Sequence, residues 1–215
     1  MKIVFFGDSI TDMGRSRNED GCIDSYGDGY VFFVAGNLLS KNPQKYEIIN
    51  RGNSGNRVVD LYARIKADVW NQNPDVLSIL IGVNDVWHEL GENPNGVDIE
   101  RWEKVYRMII EDTKKALPNT EIMICEPFVL HGIATDSGDR FEQFNKVREY
   151  AKAAKKLADE YDLAFVPLQD KLDEMAEKHG AEYFLYDGVH PNLAGANLIA
   201  EEWLKAFGTQ VENRK

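Results

Sequence analysis

Apolar positions along the chain fall into two alternating patterns: short, mostly apolar runs, and longer stretches with helical spacing. The short runs occupy residues 2–6, 46–50, 76–81, 121–125 and 164–166, are rich in β-branched and aromatic residues, and lead into Gly, Asn, Asp or Pro. A mostly apolar run of this length reads as a strand buried on both faces, the habit of parallel sheets. Between the runs, residues 30–39, 58–70, 99–116, 140–161 and 194–207 carry the spacing of amphipathic helices. Strands alternating with helices predict an α/β fold with five parallel strands, and right-handed crossovers put helices on both faces of the sheet. Ligands of such open sheets bind beyond the carboxyl ends of the strands, so chemistry is expected in the segments that follow each run.

The 215 residues suit a single domain, 1–215, with no repeat, linker or low-complexity tract to divide it. Hydrophobic residues at 43% and charged residues at 28% exclude wholesale disorder and a collagen-like fibre. A formal net charge of -11 and a pI near 4.9 repel phosphate polyanions and anionic lipid, which leaves small neutral molecules as the expected partners and sets aside nucleic acid and membrane. The amino terminus reaches Gly7-Asp8 too soon to form a secretory leader, and no later run is long enough to span a bilayer, so a cytoplasmic location is the default expectation. Cys22 and Cys125 read as free thiols, with Cys125 in the core.

Four post-strand segments carry chemistry-bearing residues. Gly7-Asp8-Ser9-Ile10-Thr11-Asp12 sets a hydroxyl at a strand-to-helix junction, where a helix amino end supplies unpaired N–H groups. Asn53-Ser54-Gly55-Asn56 offers a glycine N–H without a side chain in the way, and Ser54 as a rival nucleophile. Gly82-Val83-Asn84-Asp85 ends an apolar strand in an amide able to meet a developing negative charge and a carboxylate able to brace the loop. Tyr186-Asp187-Gly188-Val189-His190-Pro191 places a carboxylate three residues ahead of a histidine, close enough to turn back and orient the imidazole. Taken singly, each segment reads first as a helix cap or turn. His88-Glu89 has no second histidine at ligand spacing, so no metal or other cofactor is expected. His131 follows the fourth run, where it could border the same cleft, and His179 sits at a Lys/Glu-rich helix end and is expected in solvent.

In this order the four segments resemble the conserved blocks of the SGNH hydrolases, also called GDSL esterases/lipases, over nearly the whole chain. Ile10 stands where the family name has Leu. The resemblance implies a flavodoxin-like three-layer α/β/α sandwich and a serine esterase. It implies Ser9, His190 and Asp187 as catalytic triad, and Ser9 N–H, Gly55 N–H and the Asn84 amide as oxyanion hole, which makes Ser54 a neighbour of that hole. Finer features, including Asn84-Asp85-Val86-Trp87, are similar to bacterial esterases that deacetylate xylan fragments. Asp8, Trp87 and Tyr186 are then the expected substrate contacts, and an acetylated sugar the expected substrate. Because the resembled esterases often form oligomers, association of this chain with copies of itself is a further expectation. The alternatives are a lysophospholipase or acyl-CoA thioesterase on the same machinery, or a catalytically silent carbohydrate-binding protein on a hydrolase scaffold.

Overall fold

A computed structural model describes residues 1–212 of the chain. Strands β1 (Lys2–Gly7), β2 (Glu47–Gly52), β3 (Val76–Leu80), β4 (Glu121–Cys125) and β5 (Ala164–Val166) form one sheet in the order β2-β1-β3-β4-β5. Every pairing is parallel. The apolar runs have the predicted cause, since Ile3, Val4, Phe5 and Phe6 are all at 0% exposure. Successive side chains of a strand point to opposite faces. Phe5 accordingly meets Tyr30 and Trp203, with ring centroids 5.7 and 5.0 Å away, whereas Phe6 lies 4.4 Å from the Arg64 guanidinium.

The helices are α1 (Ser9–Asp12), α2 (Tyr30–Lys41), α3 (Val58–Asp68), α4 (Val83–Trp87), α5 (Ile99–Ala116), α6 (Arg140–Phe144), α7 (Val147–Glu160), α8 (Gln169–His179) and α9 (Leu193–Gln210). On one side of the sheet α2 packs on α9; on the other α3 packs on α5 and α5 on α7. This is the three-layer sandwich expected from the pattern. None of the described helices is long and apolar enough to cross a membrane.

Two stretches depart from the sequence expectation. The single helix expected over 140–161 is two, α6 and α7, separated by a turn at Asn145 and Lys146, where Lys146 N–H donates to Gln143 O at 3.2 Å and Arg148 N–H to Asn145 O at 3.0 Å. Phe144, at 0% exposure, is held there by Trp87, 5.2 Å away and edge-on. Helix α8 has no place in the periodicity because it buries only Gln169 and Leu172, too thin a stripe to register.

The register decides where function sits. Gly7 pairs with Gly52 and with Leu80, Leu80 with Cys125, and Cys125 with Val166, so the strands end in one row. The loops after β1, β2 and β3 therefore leave the sheet side by side, at the point where the strand order reverses.

Candidate active site

At the end of β1 the chain turns within one residue. A Cβ on Gly7 would fall 2.4 Å from Thr11 Oγ1 and 2.5 Å from Leu80 O, so only glycine permits the turn. Asp8 then caps α1 through its side chain, Oδ1 accepting from Ile10 N–H at 2.9 Å. Ser9 opens the helix, half-buried, with its N–H among those for which a helix has no internal acceptor. Asp8 itself is 1% exposed and its Oδ2 is shut off from solvent without a hydrogen-bond partner among the described residues. Asp8, expected from sequence as a substrate contact, is thus placed inside the turn, which its carboxyl supports from beneath. Burial pushes that carboxyl from 3.8 up to about 7, with the Ile10 N–H bond and nearby His190 pulling the other way.

The turn before α9 brings up the imidazole. His190 Nε2 lies 2.8 Å from Ser9 Oγ, although the two are 181 positions apart, and its Nδ1 lies 2.7 Å from Asp187 Oδ2. The other carboxylate oxygen, Asp187 Oδ1, accepts from Val189 N–H at 2.9 Å and His190 N–H at 2.7 Å. Burial pushes the Asp187 carboxyl up, but the bonds from the His190 ring, His190 N–H and Val189 N–H outweigh it and hold it below 3.8. The Asp187 hydrogen bond raises His190 above 6.5 against the opposing effect of burial. With Asp187 accepting at Nδ1, the neutral ring carries its proton there and presents a bare Nε2 to the serine hydroxyl.

The loop after β2 is tied to the β1–α1 turn, Asn53 N–H donating to Gly7 O at 3.0 Å, and to the start of α4. Gly55 has φ +82° and open space where a Cβ would stand, so conformation rather than crowding calls for glycine. Asn84, 5% exposed, donates from Nδ2 to Asn56 O at 3.0 Å, which uses one of its two amide hydrogens and ties α4 to that loop. Asp85 braces the loop as expected, Oδ1 accepting from Val58 N–H at 3.0 Å. Ser54 is exposed and bonds to Asp12, not to an imidazole.

Two aromatic rings flank His190. Trp87 is half-buried with its ring 5.9 Å away and tilted, and Tyr186 is 52% exposed with its ring 5.8 Å away and nearly parallel. His131 lies in the loop that adjoins the Asp187 turn, its Nδ1 bonding Asp136 Oδ1 at 2.8 Å and its ring stacking on Phe141 at 3.5 Å. His179 is exposed, as expected.

Sequence reasoning missed the loop that holds the Asp187 turn. Leu130 N–H donates to Gly188 O at 2.9 Å and Ala134 N–H to Asp187 O at 3.0 Å. A Cβ on Gly132 would lie 2.3 Å from the Asp187 carbonyl carbon, and one on Gly188 2.5 Å from Thr135 Oγ1. It also missed Arg64, which donates to Gly7 O at 3.0 Å, Arg51 O at 2.9 Å and Asn56 Oδ1 at 2.6 Å. An arginine on an amphipathic helix gives no sign in sequence that it turns inward.

The GDSL-like lipase/acylhydrolase family matches residues 5–198 of the chain. An acetylxylan esterase of Geobacillus stearothermophilus is 34% identical over 212 residues, 96% of this chain and 94% of that one. The crystal structure of that esterase superposes with a TM-score of 0.86 at 33% identity, covering 96% of this chain and 94% of the other. A GDSL-like protein of Parabacteroides merdae superposes with a TM-score of 0.89 at 43% identity, over 96% and 95% of the two chains. The Geobacillus enzyme has also been solved as catalytic variants with alanine replacing one aspartate, one serine and one histidine.

Proposed function

The chain belongs to the GDSL-like lipase/acylhydrolase family and is a carboxylic ester hydrolase, and from that premise we propose that it removes acetyl groups from short carbohydrate chains such as xylo-oligosaccharides. The observation that carries the reading is the continuous hydrogen-bonded line Ser9 Oγ, His190, Asp187, seated at the ends of β1 and the turn before α9. In the Geobacillus enzyme, described also as an acetyl-xylooligosaccharide esterase, the same three residue types are the catalytic substitutions.

The reaction proceeds in two halves. Ser9 Oγ attacks the ester carbonyl carbon while its proton passes to His190 Nε2, 2.8 Å away. The carbonyl oxygen becomes an anion met by Ser9 N–H, Gly55 N–H and the free amide hydrogen of Asn84. As the bond from carbon to the sugar oxygen breaks, His190 returns the proton to that oxygen and the acetyl group stays on Ser9. Water then gives a proton to His190 and attacks the acyl carbon, releasing acetate and restoring the Ser9 hydroxyl. Asp187 remains ionised throughout and holds the ring in register. Tyr186, with half its surface in solvent beside His190, offers a flat face on which the leaving sugar can stack, and the Trp87 ring also borders His190.

Kinetics on nitrophenyl acetate and octanoate, with mass spectrometry of acetylated xylo-oligosaccharides, test the proposal. The acetate ester and the sugars are expected to turn over faster, and Ser9→Ala to abolish both activities. A preference for octanoate would move the assignment to the lysophospholipase or thioesterase alternative. Sugar binding by a chain that no organophosphonate labels at Ser9 would leave a binding protein.

A further inference from the structure

Gly55 has no side chain, so the direction of its N–H is set by its neighbours. On one side Ser54 is held twice by one carboxyl oxygen: Asp12 Oδ2 accepts from Ser54 N–H at 3.0 Å and from Ser54 Oγ at 2.9 Å. On the other side Asn56 is held at Oδ1 by Arg64 and at its carbonyl by Asn84. The two clamps differ in what they connect. Arg64 belongs to α3, downstream of the same loop, whereas Asp12 is the last residue of α1, the four-residue helix that Ser9 opens. Asp12 N–H donates to Asp8 O at 2.8 Å, so its side chain projects from the same turn as the nucleophile.

Asp12 is built in rather than placed on the surface. It is 3% exposed, and a Cβ on Gly52 would lie 2.2 Å from Asp12 N, which shows how closely β2 approaches α1. Arg17 closes the arrangement, one guanidinium nitrogen donating to Asp12 Oδ2 at 2.7 Å and to Asn53 Oδ1 at 3.2 Å. No other side-chain hydrogen bond among the described residues joins α1 to residues 53–56, apart from this Asp12, Ser54, Arg17 and Asn53 set.

We infer that Asp12 is a positioning residue for the oxyanion hole, fixing the Gly55 N–H against the Ser9 N–H so that both point at the same oxygen. The inference rests on the esterase reading above. Donors that serve a transition state must be held near their working geometry beforehand, and misplacement by about 1 Å can cost about a hundredfold in rate.

The test compares Asp12→Ala, Asp12→Asn and Ser54→Ala with the wild type on nitrophenyl acetate. It also measures inhibition by phenylboronic acid, whose serine adduct places a negative oxygen in the hole. Asp12→Ala is expected to lower kcat by about tenfold to hundredfold with KM within about threefold, and to weaken boronate binding by a similar factor. Ser54→Ala keeps the N–H bond and loses the hydroxyl bond, so a smaller loss of the same kind is expected. The acid limb of the pH profile should not move in any variant, because His190 and Asp187 are untouched. Equal kcat in wild type and Asp12→Ala overturns the inference, as does a kcat loss with unchanged boronate affinity. If Asp12→Ala does not fold, Ser54→Ala decides by the same two readings. A wild type that neither hydrolyses the ester nor reacts with an organophosphonate overturns the esterase reading itself, and this inference with it.

Discussion

Replacing Asp187 by asparagine tests the proposed hold of Asp187 on the His190 tautomer with almost no change in shape. Asp187 Oδ1 accepts two backbone N–H groups, from Val189 at 2.9 Å and His190 at 2.7 Å, while Oδ2 faces the His190 ring nitrogen Nδ1 at 2.7 Å. An amide has one oxygen and one NH₂, and only the oxygen can accept the two backbone bonds, so the NH₂ of Asp187→Asn is driven toward His190. There it donates, and Nδ1 must become the acceptor. The ring proton then moves to Nε2, which faces Ser9 Oγ and can no longer take the hydroxyl proton. A wrong tautomer of this kind in the serine-protease triad lowers turnover by about 10⁴, which is about 5 kcal/mol in barrier. Because both backbone bonds survive, the fold should be retained. The expected result is a kcat loss on nitrophenyl acetate of about 10³–10⁴ with a melting temperature within a few degrees of wild type. A loss below tenfold, in a folded variant, would refute the tautomer argument and with it the role of Asp187.

Three further outcomes follow from the same geometry. The Asp187 bond raises His190 above 6.5, and only the neutral ring can act as base, so kcat/KM should rise with pH along an acid limb whose midpoint lies above 6.5; a midpoint at or below that value refutes it. Asn84→Ala removes one oxyanion donor and should cost about 10²–10³ in kcat with KM little changed, and single-turnover acylation of Ser9 should slow in step; full activity would exclude the amide from the hole. Asp8 titrates near 7 in the folded chain against 3.8 ordinarily, so it adds no stability penalty below pH 3.8, and one accumulates as pH rises toward 7 and then levels off. Asp8→Asn keeps an oxygen for Ile10 N–H and removes that penalty, so urea unfolding should show a gain at pH 8, at most about 4 kcal/mol, that vanishes near pH 4. A gain independent of pH would mean that Asp8 does not change protonation in that range.

The architecture was legible because it follows from local pattern. Five short, mostly apolar runs alternating with helical spacing leave few topologies other than a parallel sheet covered on both faces, and the runs at 121–125 and 164–166 coincide with β4 and β5. Ser9, Gly55, Asn84 and the Asp187 to His190 pair were legible as residue types at the proper edge of that sheet, and their order resembled a known family. The break between α6 and α7 was not legible, because the apolar spacing runs on through the turn at Asn145 and Lys146, and the contact of Phe144 with Trp87 beside it spans 57 positions.

What sequence alone settled was therefore which short segments would stand at the carboxyl edge, since hydrophobic period dictates strand, and strand plus handedness dictates edge. What only tertiary structure decided was which atoms meet there. The 2.8 Å contact between Ser9 and His190 depends on the register of every strand between them. The burial of Asp8, and the hold of Asp12 on Ser54, exist only in the closed chain, where β2 packs closely against α1. Period and propensity act over neighbouring residues, whereas burial and hydrogen bonding between distant segments exist only once the chain has closed on itself.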